Sequence, residues 1–171
     1  MLENGKLRLP RPVIGLAVLA AVSASYLPAA NATEQQLTKL MREVMSSWDA
    51  LDANAAAPYY AKDPGLVFYD ISPMKFTGWT EYYKGVGKEY ADYKSYQIVL
   101  ANDAQAHLVG DSFAWGTATW KGHAVKKDNS VETSEGRWTV LFEKRNGKWL
   151  VVHEHISSVT PPTPLAGAKS K

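Results

Sequence analysis

The 171-residue chain carries 19 Lys and Arg residues against 17 Asp and Glu residues. This near balance gives no electrostatic footprint for nucleic acid or for an acidic membrane surface. The chain contains no Cys, which excludes disulfides and thiol catalysis. Six Trp and nine Tyr are many for this length, and they predict a core or a pocket with large flat walls.

The N-terminus has the pattern of an export signal. Three basic residues among the first eleven precede an apolar run over residues 13–27, and Ala30 and Ala32 place small side chains where a signal peptidase reads. The run falls short of the roughly 20 apolar residues that a permanent membrane anchor needs. We therefore expect a signal peptide over residues 1–32, cleavage before Thr33, and a periplasmic or secreted protein without stable membrane insertion. The mature chain would keep 16 basic and 16 acidic residues.

The region after the signal begins with helical patterns. Apolar residues recur at helical spacing over residues 34–53, which predicts one amphipathic helix. A short second helix follows over residues 54–60, and a short strand over residues 66–70. Residues 78–90 read as a third helix rich in aromatic side chains.

The pattern then changes to strands. Residues 96–109, 112–125, 131–145 and 149–159 are β-rich and are separated by turn signals, among them an Asn-Gly dipeptide. Helices followed by a long meander predict an α+β domain with the helices on one face of the sheet. Strands of this length must bend or bulge to wrap a core. The Pro-rich residues 160–171 predict a disordered tail.

Several sequence segments resemble one family. They are the stretch from Asp-Pro-Gly-Leu at residues 63–66 to Gly78, Gly-Arg-Trp-Thr-Val at residues 136–140, and Gly-Lys-Trp-Leu-Val-Val-His-Glu-His-Ile-Ser at residues 147–157. Over residues 34–158 the chain resembles the SnoaL-like branch of the NTF2-like superfamily. Within it, the C-terminal segment is similar to the association (hub) domain of calcium/calmodulin-dependent protein kinase II.

This resemblance implies a fold but no single activity. The expected fold is a cystatin-like α+β cone, in which three N-terminal helices pack on a strongly curved antiparallel sheet, here over residues 33–159. It also implies a pocket inside the cone and a dimer interface on the outer sheet face. Relatives include cyclases, isomerases, dehydratases, ligand binders and assembly modules, so the function has to be argued from the site.

The resemblance also indicates which strand faces line the pocket. It places Val140 and Ile156 inward. The hub domain carries pocket arginines at the positions held here by Trp120, Val140 and Ile156, so recognition of an acidic ligand does not carry over. A pocket walled by Trp120, Trp138, Val140, Phe142 and Ile156 would prefer an apolar or aromatic ligand.

Two carboxylates are candidate catalytic residues, Asp70 and Glu154. Among aromatic walls the charged form of Glu154 would be desolvated, which raises its pKa and suits an acid or base near neutrality. The alternative is a Glu at the sheet rim that pairs with Lys or Arg. Asp70 ends the first predicted strand, and its alternative role is to cap the turn before Pro73.

Other candidate residues have plain structural alternatives. Four aromatic residues could line the pocket mouth or belong to the core: Tyr59, Tyr69, Trp79 and Tyr83. His153 and His155 point to one face of a predicted strand, but no third ligand stands beside them. We therefore predict neither a metal site nor a cofactor.

The leading hypothesis is an exported protein that binds a small, largely apolar ligand inside the cone. One alternative is an acid/base enzyme of isomerase, cyclase or hydrolase type that uses Asp70 or Glu154. The other is a non-catalytic oligomerisation module. A homodimer or a larger even-numbered oligomer is expected, because Leu141 and Val151 put apolar side chains opposite the inward face of the last two strands.

The export signal is directly testable. N-terminal sequencing of the protein recovered from outside the cytoplasm should begin within a residue or two of Thr33, because the basic, apolar and Ala-x-Ala features together direct cleavage there. Recovery of a mature protein that keeps residues 13–27 would contradict both the cleavage and the absence of an anchor.

Overall fold

The computed structural model describes residues 32–159. The predicted signal peptide, apart from Ala32, and the predicted tail over residues 160–171 lie outside this range. The helical elements are α1 (Ala32–Ser47), α2 (Ala53–Ala56) and α3 (Gly78–Glu89), with 3-10 turns at Trp48–Ala50, Ala57–Tyr59 and Tyr90–Asp92. Between residues 32 and 159, no helix is long and apolar enough to span a membrane.

Within the described range, seven strands form one curved sheet. They are β1 (Val67–Tyr69), β2 (Phe76–Thr77), β3 (Tyr93–Leu100), β4 (Gln105–Val109), β5 (Phe113–Lys126), β6 (Val131–Arg145) and β7 (Lys148–Ser158). Their order across the sheet is β2-β1-β7-β6-β5-β3, and β4 also pairs with β5. The buried stripe of α1, formed by Leu37, Met41, Val44 and Met45, belongs to the core that the helices and the inner sheet face enclose. The α+β prediction with three helices on a curved sheet is confirmed.

The sheet is mixed, so the prediction of an antiparallel sheet is correct for every described strand pair except β1 with β7. β1 runs parallel to β7, with Phe68 opposite Glu154, and the backbone N–H of Ala61 donates to the carbonyl of Val151 at 2.9 Å. The other β7 edge is occupied by β6. The side-chain pattern of a three-residue strand carries no information about its direction, so the path of the chain from the helical layer decides it.

The predicted strand over residues 96–109 is in fact two strands, β3 and β4. The break is held by side chains far away in sequence. The Arg42 guanidinium donates to the carbonyls of Leu100 and Ala101, and the Asp103 carboxylate accepts hydrogen bonds from the backbone and hydroxyl of Thr119. Both strands then pair with successive parts of β5, which bends the sheet around α1.

A β-bulge in β7 decides which side chains face the core. Leu141 pairs with His153 but Phe142 pairs with Val151, so Val152 is the extra residue. Val151 therefore lies fully buried in the core, and the prediction that it lies on the outer face is wrong. Beyond the bulge, Glu154 and Ile156 face the core.

Close packing of an indole on two glycines fixes the middle of the sheet. Trp120 on β5 lies across Gly122 and Gly136. A Cβ on Gly136 would come within 1.8 Å of the Ser157 carbonyl oxygen and 2.7 Å of the Trp120 ring. The close approach of the β7 backbone therefore requires a glycine at position 136 of β6.

We predict that Gly136→Ala lowers the free energy of unfolding by about 1–3 kcal/mol, because either the β7 backbone or the Trp120 indole must move to make room for the added Cβ. Gly87→Ala is the matched control. Gly87 lies inside α3, and an added Cβ there would meet no atom within 4 Å, so this change should stabilise by about 0.5–1 kcal/mol. Urea unfolding of the two variants measures both effects, and equal stabilities would contradict the packing argument.

Candidate ligand cavity

A cavity of about 800 Å³ opens between the inner sheet face and the C-terminal end of α3. Its walls come from α1, α3, the 3-10 turn that follows α3, the start of the β1–β2 loop, and strands β3, β5, β6 and β7. Six of its lining residues are aromatic: Trp48, Tyr82, Tyr90, Tyr93, Tyr96 and Trp120. The smaller apolar lining residues are Met45, Ile71, Val86, Ile98, Ala124, Val131 and Ile156.

The tyrosines of the wall form a connected layer. The ring of Tyr90 lies 6.2 Å from that of Trp48 and 5.4 Å from that of Tyr96, and Tyr93 is 5.8 Å from Tyr96. Burial, the first cause, and nearby carboxylates raise the pKa of Tyr90 and of Tyr96. Both phenols therefore stay protonated at neutral pH and can donate hydrogen bonds into the cavity.

Two carboxylates face this aromatic surface without a basic partner among residues 32–159. Burial raises the pKa of Asp70 to about 6, although its carboxylate accepts a hydrogen bond of 2.7 Å from the backbone N–H of Ile71. Burial, and then the charge of Asp70, raise the pKa of Glu89 to about 7. Both groups can therefore gain or lose a proton near neutrality.

Two buried polar atoms of the lining residues lack hydrogen-bond partners within the described part of the chain. One is Oε1 of Glu89 and the other is Nε1 of Trp120. Trp120 is only 1% exposed. Buried polar atoms are nearly always paired in folded proteins, so these two are free to pair with something that enters the cavity.

Lys126, the one lysine that residues 32–159 contribute to the lining, lies at the cavity rim. It pairs with Glu132, which also accepts a hydrogen bond of 3.0 Å from the hydroxyl of Tyr93. This lysine is therefore engaged in an ion pair at the rim. Asp92 is the remaining charged lining residue and is exposed.

Glu154 lies in the core beside the cavity and is sealed from it. It is 1% exposed, and its carboxylate accepts hydrogen bonds from the Tyr60 hydroxyl at 2.9 Å and from Trp138 Nε1 at 2.8 Å. The Tyr82 hydroxyl donates to it as well. Trp48 Nε1 donates in turn to the Tyr60 oxygen at 3.1 Å.

Burial has the largest effect on the pKa of the Glu154 carboxyl. It raises the pKa of Glu154 to about 7, against the lowering effect of the hydrogen bonds from Tyr82, Trp138 and Tyr60. The charge of Asp70 adds to the increase. Because no wall of the cavity includes Glu154, its chemical role is to organise these aromatic donors.

The sequence model of the SnoaL-like domain family matches residues 35–161 of this chain, which include nearly all of the described residues. This chain belongs to the SnoaL-like domain family. No curated protein matches it in sequence. The resemblance on which the fold expectation depended is therefore confirmed.

Solved structures support the same fold for this SnoaL-like domain. An NTF2-like superfamily protein from Salmonella enterica is 20% identical, with a TM-score of 0.70 over 81% of this chain and 99% of that one. The association domain of C. elegans CaMKII is 14% identical, with a TM-score of 0.57 over 72% and 93%. A Novosphingobium aromaticivorans protein provisionally assigned as a scytalone dehydratase is 12% identical, with a TM-score of 0.64 over 79% and 94%. Identities this low establish the NTF2-like cone and not an activity.

The SnoaL-like domain brings only three of the sequence-predicted site residues to the cavity: Asp70, Trp120 and Ile156. Trp138, Val140 and Phe142 face inward as expected but are fully buried in the packed core. Trp79 lies in the same core, and Tyr59 and Tyr83 pack against it while partly exposed. Tyr69 is 40% exposed and contacts His153 and His155 edge-on. Among residues 32–159, no three side chains of metal-ligating type gather.

Sequence reasoning missed Glu89, Tyr90 and Tyr96 as parts of the cavity. A signal was present, because Tyr90, Tyr93 and Tyr96 recur every third residue where the helix passes into the strand. Their common direction depends on the 3-10 turn Tyr90–Asp92, which rotates the chain between α3 and β3, and on a register shift between Tyr93 and Ser95 in β3. The sequence pattern did not predict that turn.

The raised pKa of Glu154 predicts a pH-dependent stability. The native carboxyl titrates at about 7 against an ordinary value of 4.5, so the folded state holds a proton that the unfolded state loses first. The free energy of unfolding should fall by about 3 kcal/mol as the pH rises through this window. Glu154→Gln should remove this part of the decline, measured by urea unfolding at several pH values.

Glu154→Leu is the matched comparison for Glu154→Gln. It also removes the titration, but it leaves the Tyr60, Tyr82 and Trp138 donors without an acceptor, which costs about 1–3 kcal/mol for each buried group. We therefore expect the Leu variant to be less stable than the Gln variant at every pH. A wild-type pH slope retained in Glu154→Gln would show that Glu154 does not titrate in this window.

Proposed function

We propose that this SnoaL-like domain binds a small, largely apolar ring compound in the aromatic cavity. The observation that carries this proposal is a space of about 800 Å³ in which six aromatic side chains form much of the wall beside Asp70 and Glu89. Ligand pockets have this size and composition, with a few polar groups that orient the ligand. Unpartnered Glu89 Oε1 and Trp120 Nε1 provide such polar contacts.

Acid/base catalysis is the second candidate function. It is supported by Asp70 and Glu89, whose pKa values are raised to about 6 and about 7 beside the same cavity. One can act as a base while the other remains protonated as an acid. In this candidate Glu89 takes the place first given to Glu154, which does not reach the cavity. The similar structures with provisional dehydratase assignments support an acid/base enzyme, of the isomerase, cyclase or hydrolase type expected from the sequence or of a dehydratase type.

We propose further that the protein is exported and forms a homodimer through an outer patch, defined as Val109, Phe113, Trp115 and Leu141. The sheet register makes these residues neighbours on β4, β5 and β6. Phe113 and Trp115 are each 40% exposed, and the Trp115 ring lies 4.4 Å from the His107 ring at a tilt of 33°. A second copy would cover this apolar surface. The similarity to an association domain supports this occupant.

The cavity predicts a specific pattern of ligand binding. Ring compounds from a small aromatic panel should raise the melting temperature of the wild-type chain. Ala124→Trp should abolish this increase, because residue 124 is a buried wall residue of β5 and an indole there fills the space. Val125→Trp is the matched control, since the next residue on β5 points away from the cavity. Thermal-shift measurements on the three proteins compare these outcomes.

The same panel separates a binder from an enzyme. For a bound ring ketone, an acid/base site should speed the exchange of the α-hydrogens with deuterated water, and Asp70→Asn should slow this by roughly 10²–10⁴-fold while binding persists. A binder shows no enhanced exchange. If no compound stabilises the wild type, or if Ala124→Trp binds as well as Val125→Trp, the cavity is not the functional site.

The outer patch predicts a dimer that a single charge disrupts. Sedimentation of the wild-type chain at tens of micromolar should show a dimer or a larger even-numbered species, and Trp115→Glu should give monomers because a carboxylate would be buried in an apolar interface. Met74→Glu is the control, since Met74 is 78% exposed in the β1–β2 loop, outside the patch. A wild-type monomer would contradict the proposed interface.

A further inference from the structure

The charges around the cavity are unbalanced on its inner side. Asp70 and Glu89 face the cavity, and neither forms an ion pair with a basic residue of the described chain. Residues 32–159 contribute no Arg and no His to the lining, and Lys126 is committed to Glu132 at the rim. Asp92, exposed on the turn after α3, adds a further negative charge. The raised pKa values of Asp70 and Glu89 have burial as their first cause, and no positive charge within the described range offsets it.

The walls next to these carboxylates suit a cation. Trp48, Tyr90 and Tyr96 present π-systems on the same cavity, and Trp120 adds an indole from the sheet. The faces of aromatic rings attract cations, most strongly where water is excluded. Aromatic rings together with unpaired carboxylates are the combination by which proteins recognise organic ammonium ions.

The unpartnered indole N–H gives a second, independent indication of a ligand. Trp120 is 1% exposed, lines the cavity, and its Nε1 finds no acceptor within residues 32–159. An N–H group only donates. A ligand of this cavity that pairs with the indole must therefore carry an acceptor, such as a hydroxyl or carbonyl oxygen.

We propose that the ligand of this cavity is an organic ammonium ion on an apolar or aromatic body that also carries an oxygen acceptor. The cation lies between Asp70, Glu89 and the tyrosine rings, and the oxygen accepts from Trp120. This inference rests on the proposed ligand-binding function and names its ligand class. An anionic ligand would face two carboxylates without an arginine in the described lining, whereas a cation would stabilise the charged forms that burial disfavours.

The decisive experiment compares two probes of the same shape. The meta-hydroxyphenyl trimethylammonium ion and meta-tert-butylphenol share their ring, hydroxyl and outline, and differ in charge. Titration calorimetry with the full chain at neutral pH should give a dissociation constant about tenfold lower for the ammonium ion, from its contacts with carboxylates and rings. The hydroxyl is common to both probes, so the ratio isolates the charge.

Variants assign this preference to the carboxylates. Glu89→Gln and Asp70→Asn should each weaken the binding of the ammonium ion about tenfold. Each should change the binding of the phenol by less than about twofold. Glu135→Gln is the matched control, since Glu135 is exposed and does not line this cavity, and it should change neither. The comparison of the two probes on the wild type needs no variant, so a variant that fails to fold leaves the test intact.

Each other outcome has a defined meaning. If the phenol binds as tightly as the ammonium ion, or if both carboxylate variants keep the wild-type ratio, the ammonium inference is wrong while the proposed binding function stands. If neither probe binds at millimolar concentration and the aromatic panel also fails, both the inference and the proposed function are wrong. A tenfold preference that both carboxylate variants abolish supports the inference.

Discussion

The burial of one carboxyl group shapes this fold more than any other interaction. Glu154 sits among aromatic rings, where its two oxygens accept hydrogen bonds from Tyr60, Tyr82 and Trp138. These donors come from the segment after α2, from α3 and from β6, so a single acceptor joins the helical layer to the sheet. An unpaired buried carboxyl would cost several kcal/mol, and this cost makes the geometry of all three donors interdependent. Phe68 beside Glu154 extends the constraint to the parallel strand β1.

The network around Glu154 lies beside a solidly packed aromatic cluster at one end of the cone. Phe68 and Tyr82 stack with their ring centroids 4.9 Å apart, and Tyr60 lies 4.9 Å from Trp79, so this end is solidly packed. At the other end the glycines beneath Trp120 let its indole lie flat on the sheet, which leaves room above it. Asp70 is the link between the two ends, since it lines the cavity and its charge also acts on Glu154.

The fold was predictable from local and periodic signals, whereas the site was predictable only in part. The alternation of side chains between the two faces of β6 correctly placed Trp138, Val140 and Phe142 inward. An inward side chain can belong to the solid core or to a cavity wall, and strand periodicity does not distinguish the two. The same alternation failed at Val151, because a bulge inserts one residue without a local sequence mark. Glu89 was overlooked because its depth depends on elements far apart in the chain.

By itself the sequence determined the α+β class, the amphipathic first helix, the long strands and the SnoaL-like family, because these depend on hydrophobic periodicity, turn residues and a specific C-terminal motif. It also predicted three of the residues that line the cavity: Asp70, Trp120 and Ile156. Only the tertiary structure decided that β1 runs parallel to β7, that Glu154 is sealed in the core, and that Glu89 faces the cavity without a counter-charge from the described chain. The physical reason is that burial and pairing of polar groups are set by contacts between distant segments, and these contacts decide which carboxylates are free to meet a ligand.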